Sequence, residues 1–126
     1  MSTRITGFAI VLFLFITSCS EKKSRDRFED ACGIALPEDV EVLKDEFIDA
    51  GKDYGIQFNV QLGPEDRRKC AASIRGSKLF IVDTTEKSNA WQPTSRGFRF
   101  FLAKDGISYS IEVDTVSGLV TYNELG

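Results

Sequence analysis

YGIQFNVQL, residues 54–62, alternates apolar and polar side chains without a break. Every second residue, from Tyr54 through Ile56 to Leu62, is apolar, and glycine, glutamine or asparagine lies between them. Successive side chains of a strand point to opposite faces of a sheet. The segment therefore predicts a half-buried β-strand, and the rest of the folded chain is best interpreted outward from it.

The residues after this strand have the features of a helix start. Pro64 suits the first position of a helix, and Glu65 and Asp66 suit the positive end of the helix dipole. The pattern predicts a short helix over residues 64–75. Its buried stripe is predicted to comprise Cys70, Ala71 and Ile74.

Further strands are predicted toward the C-terminus, because short apolar runs are separated there by turn residues. Residues 104–106 and 117–118 have the composition of hairpin turns. The predicted strands cover residues 78–83, 97–103, 107–114 and 119–122.

The segment before the opening strand, residues 37–51, fits two structures. Its apolar residues recur at helical spacing, and Gly51 suits a helix C-terminus. The pair Val40 and Val42 instead begins an alternation, and a strand that pairs with residues 54–62 in a hairpin stays open as the alternative. We expect the helix.

No recurring strand–helix–strand crossover pattern and no internal repeat is visible in the sequence. We therefore predict the α+β class: a small, mainly antiparallel sheet with one or two short helices and one disulfide. The length of 126 residues allows one domain, which we assign to residues 29–126.

The N-terminal segment has the layout of an export signal. Arg4 precedes an uncharged apolar run at residues 7–16, and small residues follow before Cys19. The run is too short for a membrane-spanning helix, which needs roughly 20 apolar residues. Residues 16–19, ITSC, resemble the lipobox of bacterial lipoproteins, although isoleucine replaces the usual leucine at Ile16.

The lipoprotein resemblance implies cleavage of a signal peptide, residues 1–18, and acylation of Cys19 with palmitate-type chains. Two or three acyl chains anchor a protein durably in a membrane. Residues 19–28 would then be the lipidated cysteine and a polar tether. Ser20 resembles the pattern of lipoproteins sorted to the outer membrane, so we expect a lipid-anchored domain that faces the periplasm.

Two cysteines, Cys32 and Cys70, remain in the domain. Thiols are oxidised outside the cytoplasm, so the even pair predicts a structural disulfide. Closure of a loop of about 38 residues would stabilise the domain by roughly 4 kcal/mol. Unpaired buried thiols are the alternative.

The composition argues against several functional classes. The sequence contains no histidine, which removes the commonest general base and metal ligand. The net charge of −3 and the absence of a long basic run disfavour nucleic acid as a partner. The acidic residues of 38–53 lack the spacing of a calcium loop. We expect no cofactor, no metal and no enzymatic activity; an enzyme would need several of the residues Tyr54, Asp83, Arg99 and Tyr109 to converge in a concave pocket.

Trp91 and Arg99 are the candidate binding residues. Trp91 lies in the long polar connection of residues 84–96, where an exposed indole could anchor a partner or, alternatively, fill the core. Arg99 could bind an anion or pair with an acidic side chain on a neighbouring strand. Residues 95–100, SRGFRF, are similar to an element of membrane-bound lysozyme inhibitors, but the downstream Trp-x-Lys-Gly stretch is missing.

These features predict a non-enzymatic envelope lipoprotein that presents its domain to a protein partner. An inhibitor or immunity protein against an envelope-directed or cell-wall-directed enzyme, or a structural envelope subunit, is the alternative.

Overall fold

The structure is a computed structural model, and it describes residues 23–83 and 85–126. The described chain forms two helices and one six-stranded antiparallel sheet, in the sheet order β1-β2-β6-β5-β4-β3. The elements in chain order are α1 (Ser24–Cys32), β1 (Glu41–Ala50), β2 (Asp53–Gln61), α2 (Pro64–Arg75), β3 (Ala90–Pro93), β4 (Gly97–Lys104), β5 (Ile107–Asp114) and β6 (Leu119–Leu125). The class is therefore α+β or mainly β.

One face of the sheet packs against the two helices and forms the core. From α1, Phe28 contacts Tyr122 of β6 edge-on, with ring centroids 6.0 Å apart. From α2, the predicted stripe that includes Ile74 is buried. The opposite face carries polar residues such as Gln57 and Thr121, so the alternation of β2 and β6 places one set of side chains inside and the other outside.

The prediction of a helix over residues 37–51 is wrong. The segment is strand β1, and it pairs with β2 in the hairpin that was the alternative. A register shift between Val42 and Lys44 inserts Leu43 as an extra residue, and this interrupts the alternation of a regular strand. Gly51, with φ of 78°, forms the tight two-residue turn of the hairpin rather than a helix end.

The predicted disulfide is absent. Cys32 at the end of α1 and Cys70 in α2 are both buried free thiols. Each thiol lies within the hydrophobic core, where it packs as a small apolar side chain. The alternative of unpaired buried thiols describes the structure.

Two further boundaries differ from the predictions. The strand predicted over residues 78–83 is a loop, which forms only a single parallel bridge between Phe80 and Trp91. Beyond the bridge, the side-chain amide of Gln92 donates to the carbonyl of Asp83, so the segment does not continue as a strand beside β3. Helix α1 begins at Ser24, inside the segment interpreted as a tether. No helix in the described ranges has the length and apolar character that crossing a membrane requires.

Candidate functional site: the β1 edge

Strand β1 is an edge of the sheet and exposes large apolar side chains. It is ten residues long and pairs with β2 alone among the described strands. Soluble proteins rarely leave such a strand uncovered, because it is a template for pairing with another chain. We define the edge surface as the exposed apolar residues Val42, Leu43, Phe47 and Ile48 of β1 and Leu125 of β6.

The helix-covered face of the sheet is exposed at Phe47 of β1. Phe47 lies directly opposite Ile56 of β2, yet Phe47 is 64% exposed and Ile56 is 4% exposed. The ring of Phe47 stacks on Tyr54 with centroids 5.8 Å apart and an interplanar angle of 11°. One ring face of Phe47 is therefore supported by the domain while most of the side chain contacts solvent.

The apolar surface continues on the other face of the sheet. Ile48, Gly55 and Leu125 form one row across β1, β2 and β6. Because Gly55 has no side chain, Leu125 and Ile48 approach over it: a Cβ there would lie 3.5 Å from Leu125 Cδ2 and 3.9 Å from Ile48 Cβ. Ile48 and Leu125 thus form one exposed apolar row.

The hydrogen-bond pattern of β2 shows which backbone groups of β1 face outward. The N–H of Tyr54 donates to the carbonyl of Gly126, and the N–H of Gly126 donates to the carbonyl of Tyr54, both at 3.0 Å. Tyr54 therefore directs its backbone away from its β1 partner, Asp49. Since the two kinds of pair alternate along an antiparallel ladder, Asp45, Phe47 and Asp49 direct their N–H and C=O groups toward the open edge.

The edge strand is acidic. It carries four carboxylates, from Glu41, Asp45, Glu46 and Asp49, and one ammonium group, from Lys44. Lys44 and Glu46 lie on the same face with their charged atoms 3.7 Å apart. On the opposite face, Asp45 and Asp49 flank Phe47. The three residues whose backbone groups point to the open edge are therefore an acid, an aromatic residue and an acid.

A buried carboxylate supports the strand behind the edge. Glu124 of β6 is 1% exposed and accepts hydrogen bonds from the hydroxyls of Tyr54 and Tyr122. The Arg27 guanidinium of α1 donates to the same carboxylate at 2.7 Å. These three donors satisfy a charge that would otherwise be costly to bury.

Burial raises the pKa of both tyrosines, and their hydrogen bonds to the Glu124 carboxylate raise it further. Tyr54 and Tyr122 therefore remain protonated donors across the physiological range. The Tyr54 ring, on which Phe47 stacks, is therefore held in place by a charge-assisted hydrogen bond to Glu124 as well as by packing.

The structure separates the four residues considered for an enzymatic pocket. Tyr109 lies opposite Glu124 and lines, with Arg27, a cavity of about 260 Å³. Tyr54 contacts the same carboxylate. Asp83 instead lies in an exposed loop beside Lys87, with charged atoms 3.3 Å apart. The structure therefore groups two of the four candidate residues around Glu124.

Arg99, the fourth candidate, lies on β4 between Gln92 of β3 and Glu112 of β5. This position matches the alternative of a strand arginine opposite an acidic residue. Arg99 is far along the sheet order from β1, with β2, β6 and β5 between the two strands.

Trp91 is fully buried in β3, which matches the alternative that its side chain fills the core. Its indole N–H donates to the carbonyl of Cys32 at 3.2 Å, and the ring packs against Phe100 with centroids 5.3 Å apart. Trp91 thus connects the end of α1 to the sheet. Cys19, the predicted lipidation site, lies outside the described residues.

A second charged feature lies on α2. Arg67, Arg68, Arg75 and Thr115 line an open depression of about 270 Å³. Arg67 is fixed there, because its guanidinium donates to a backbone carbonyl of Leu62 at 3.1 Å. Arg75 lies over the ring of Phe98. Arg67 and Arg75 thus each make a contact within the domain.

The chain matches no family model, and comparisons with curated proteins and with solved structures gave no match either. Function is therefore inferred from the geometry of the edge surface. Sequence reasoning missed this surface, because the extra residue Leu43 makes the apolar positions of β1 resemble a helical stripe. The signal that could have found it is the run of acidic and apolar residues directly before the Gly51 turn.

Proposed function

We propose that the protein is a non-enzymatic, membrane-anchored lipoprotein of the cell envelope that binds another protein through the edge surface. The observation that carries the proposal is a ten-residue edge strand that pairs with β2 alone among the described strands and has four exposed large apolar side chains. Exposed apolar patches of this kind mark interaction surfaces. The lipobox-like sequence before Cys19 supports the anchor, and Ser20 supports an outer-membrane location that faces the periplasm.

The position of α1 relates the proposed anchor to the edge surface. The Ser24 hydroxyl, at the start of α1, donates to the carboxylate of Asp45 at 2.6 Å. Four residues lie between Cys19 and Ser24, and covalent geometry limits the span from Cys19 to Ser24 to about 17 Å. An acylated Cys19 would therefore keep β1 close to the membrane surface, where a partner in or on the same membrane could reach it.

The acidic character of β1 favours one variant of this function, an inhibitor or immunity protein. Such proteins bind one enzyme tightly, and complementary charge increases the rate and specificity of association. A structural envelope subunit would instead form a broader contact with an assembly. The two variants differ in whether a single partner is captured.

Site-specific photocrosslinking in intact cells tests the proposal. We expect a crosslinker at Phe47 to capture one discrete protein, and a crosslinker at Val116 not to capture it. Val116 is a matched control because its side chain is also large, apolar and exposed, but lies in the turn between β5 and β6. Equal capture from both positions, or none from Phe47, would reject the edge surface as the binding site.

Mass spectrometry of the native protein tests the anchor separately. We expect an N-terminus at Cys19 that carries acyl chains, and we expect Cys19→Ser to move the protein out of the membrane fraction. An intact N-terminus or an unmodified Cys19 would reject the lipoprotein assignment and leave the binding surface to be judged by the crosslinking.

A further inference from the structure

We propose that the partner adds an extended strand to β1, and that this strand carries an apolar residue flanked two positions away on each side by basic residues. The inference deepens the proposed function and rests on it, because it names the chemistry of the partner at the same surface. The determinants are the outward-directed backbone of β1 and the side chains of Asp45, Phe47 and Asp49.

The backbone of β1 has the repeat that strand addition requires. Asp45, Phe47 and Asp49 each direct one donor and one acceptor to the open edge, as the Tyr54–Gly126 hydrogen bonds establish. Residues two apart in a strand are about 6.6 Å apart, which is the repeat of an added extended chain. Strand addition at an exposed sheet edge derives affinity from main-chain hydrogen bonds and specificity from alternate side chains.

The side chains of β1 specify the residues of the added strand. Residues directly opposite one another in a sheet have Cβ atoms about 5 Å apart and interact on the same face. Opposite Asp45 and Asp49, a basic residue is favoured and an acidic residue is disfavoured. Opposite Phe47, an apolar residue covers the ring face that Tyr54 leaves exposed. The preferred pattern is therefore basic-x-apolar-x-basic.

A second copy of the chain does not fit this pattern. A two-fold antiparallel pairing of β1 centred on Phe47 places Asp45 of each copy opposite Asp49 of the other. Like charges directly opposite one another destabilise a sheet. The excess of carboxylates on β1 also disfavours an anionic lipid surface, which offers no strand to pair with the outward backbone groups.

Synthetic peptides test the inference on the full-length protein purified in detergent. The probe is a fluorescent peptide of sequence Thr-Lys-Thr-Ile-Thr-Lys-Thr, and the comparison peptide has glutamate in place of both lysines. We expect the lysine peptide to bind at least tenfold more tightly. Equal binding of the two peptides would overturn the charge assignment.

N-methylation of the probe separates strand addition from side-chain contact. A methyl group on the isoleucine nitrogen removes the hydrogen bond to β1, whereas a methyl group on a threonine nitrogen next to it points away from β1. We expect the first peptide to lose at least tenfold in affinity and the second to lose little. Equal loss for both, or loss for neither, would overturn strand addition.

Protein variants give an independent readout. Phe47→Ala removes the ring and keeps the outward N–H, whereas Phe47→Pro removes both and leaves the β1–β2 hydrogen bonds intact. We expect weaker binding for Phe47→Ala and a further tenfold loss for Phe47→Pro. If Phe47→Ala weakens binding and Phe47→Pro adds nothing, the proposed function stands and strand addition fails.

The remaining outcomes also decide between the two proposals. If neither variant changes binding and Phe47 captures no partner in cells, the proposed function fails as well. If Phe47→Pro does not fold, the methylated peptides decide alone. Dimerisation of the unmodified protein through β1 in sedimentation would overturn the assignment of a basic strand. Binding of the protein to anionic vesicles through β1, together with equal binding of the lysine and glutamate peptides, would overturn it as well.

Discussion

Alkaline conditions should destabilise the domain through its two buried thiols. Burial raises the pKa of Cys32 from 9.0 to about 12 and the pKa of Cys70 from 9.0 to about 11. A thiol whose pKa is higher in the folded state than in the unfolded state binds its proton more tightly when folded. Its contribution to stability is therefore fully present below pH 9 and is lost as the pH rises toward the folded pKa.

The size of the effect follows from the distance between the solution pH and the unfolded pKa. Each pH unit above 9.0 lowers the free energy of unfolding by about 1.4 kcal/mol for as long as the folded thiol stays protonated. At about pH 10.5, Cys32 alone should lower it by about 2 kcal/mol. Cys70 should lower it by a similar amount, so the domain should lose about 4 kcal/mol in total.

Urea unfolding with a reductant present, at about pH 8 and about pH 10.5, measures this loss. The matched variant is Cys32→Ala, which keeps Cys70, Tyr54 and Tyr122. Tyr54 and Tyr122 also have raised pKa values and weaken the fold at high pH, but they do so equally in both proteins. The stability difference between wild type and Cys32→Ala should therefore shrink by about 2 kcal/mol between the two pH values.

An unchanged difference between the two proteins would refute the reasoning, because it would mean that Cys32 ionises equally in the folded and unfolded chain. The same result would contradict the burial of Cys32 in the core at the end of α1.

Three further outcomes follow from single contacts. Arg27→Met should lower the free energy of unfolding by about 2 kcal/mol in urea titrations, since it leaves the Glu124 carboxylate buried with two hydroxyl donors; a change near zero would contradict this role. Gly97→Ala should cost about 3 kcal/mol or prevent folding, measured by thermal melting, because a Cβ would overlap the carbonyl oxygen of Val113. A hydrogen bond from Arg96 lowers the pKa of Asp114 from 3.8 to about 2. NMR titration should therefore find the Asp114 carboxylate ionised at about pH 3. The stability that this hydrogen bond contributes should disappear as the pH falls from about 4 toward 2.

Local patterns predicted the centre of the sheet. The alternation of residues 54–62 and 107–114 identified β2 and β5, and Pro64 with its following acids identified the start of α2. These elements have one buried face and regular spacing, so their periodicity is visible within a few residues. The hairpins at residues 104–106 and 117–118 were predicted for the same reason.

The sheet edge and the interior contacts could not be derived in this way. Leu43 adds one residue to β1, so two halves of one strand are out of phase and the apolar spacing becomes helical. The burial of Trp91 depends on Cys32, which is 59 residues away, and the carboxylate of Glu124 is satisfied by Arg27, 97 residues away. No window of sequence contains both partners of such contacts.

The same long-range contacts explain why the edge surface can be prepared for a partner. Arg27 lies on α1, eight positions after Cys19 in the sequence, and it donates a hydrogen bond to Glu124, which accepts one from the hydroxyl of Tyr54. The Tyr54 ring in turn supports Phe47 from behind. A partner that covers Phe47 therefore has to order less of the surface on binding, and the conformational entropy cost of association is smaller. Arg27→Met should therefore weaken partner binding at Phe47, although Arg27 is not part of the edge surface. If Phe47 bound the partner without support from Tyr54 and Glu124, the substitution would leave the affinity unchanged.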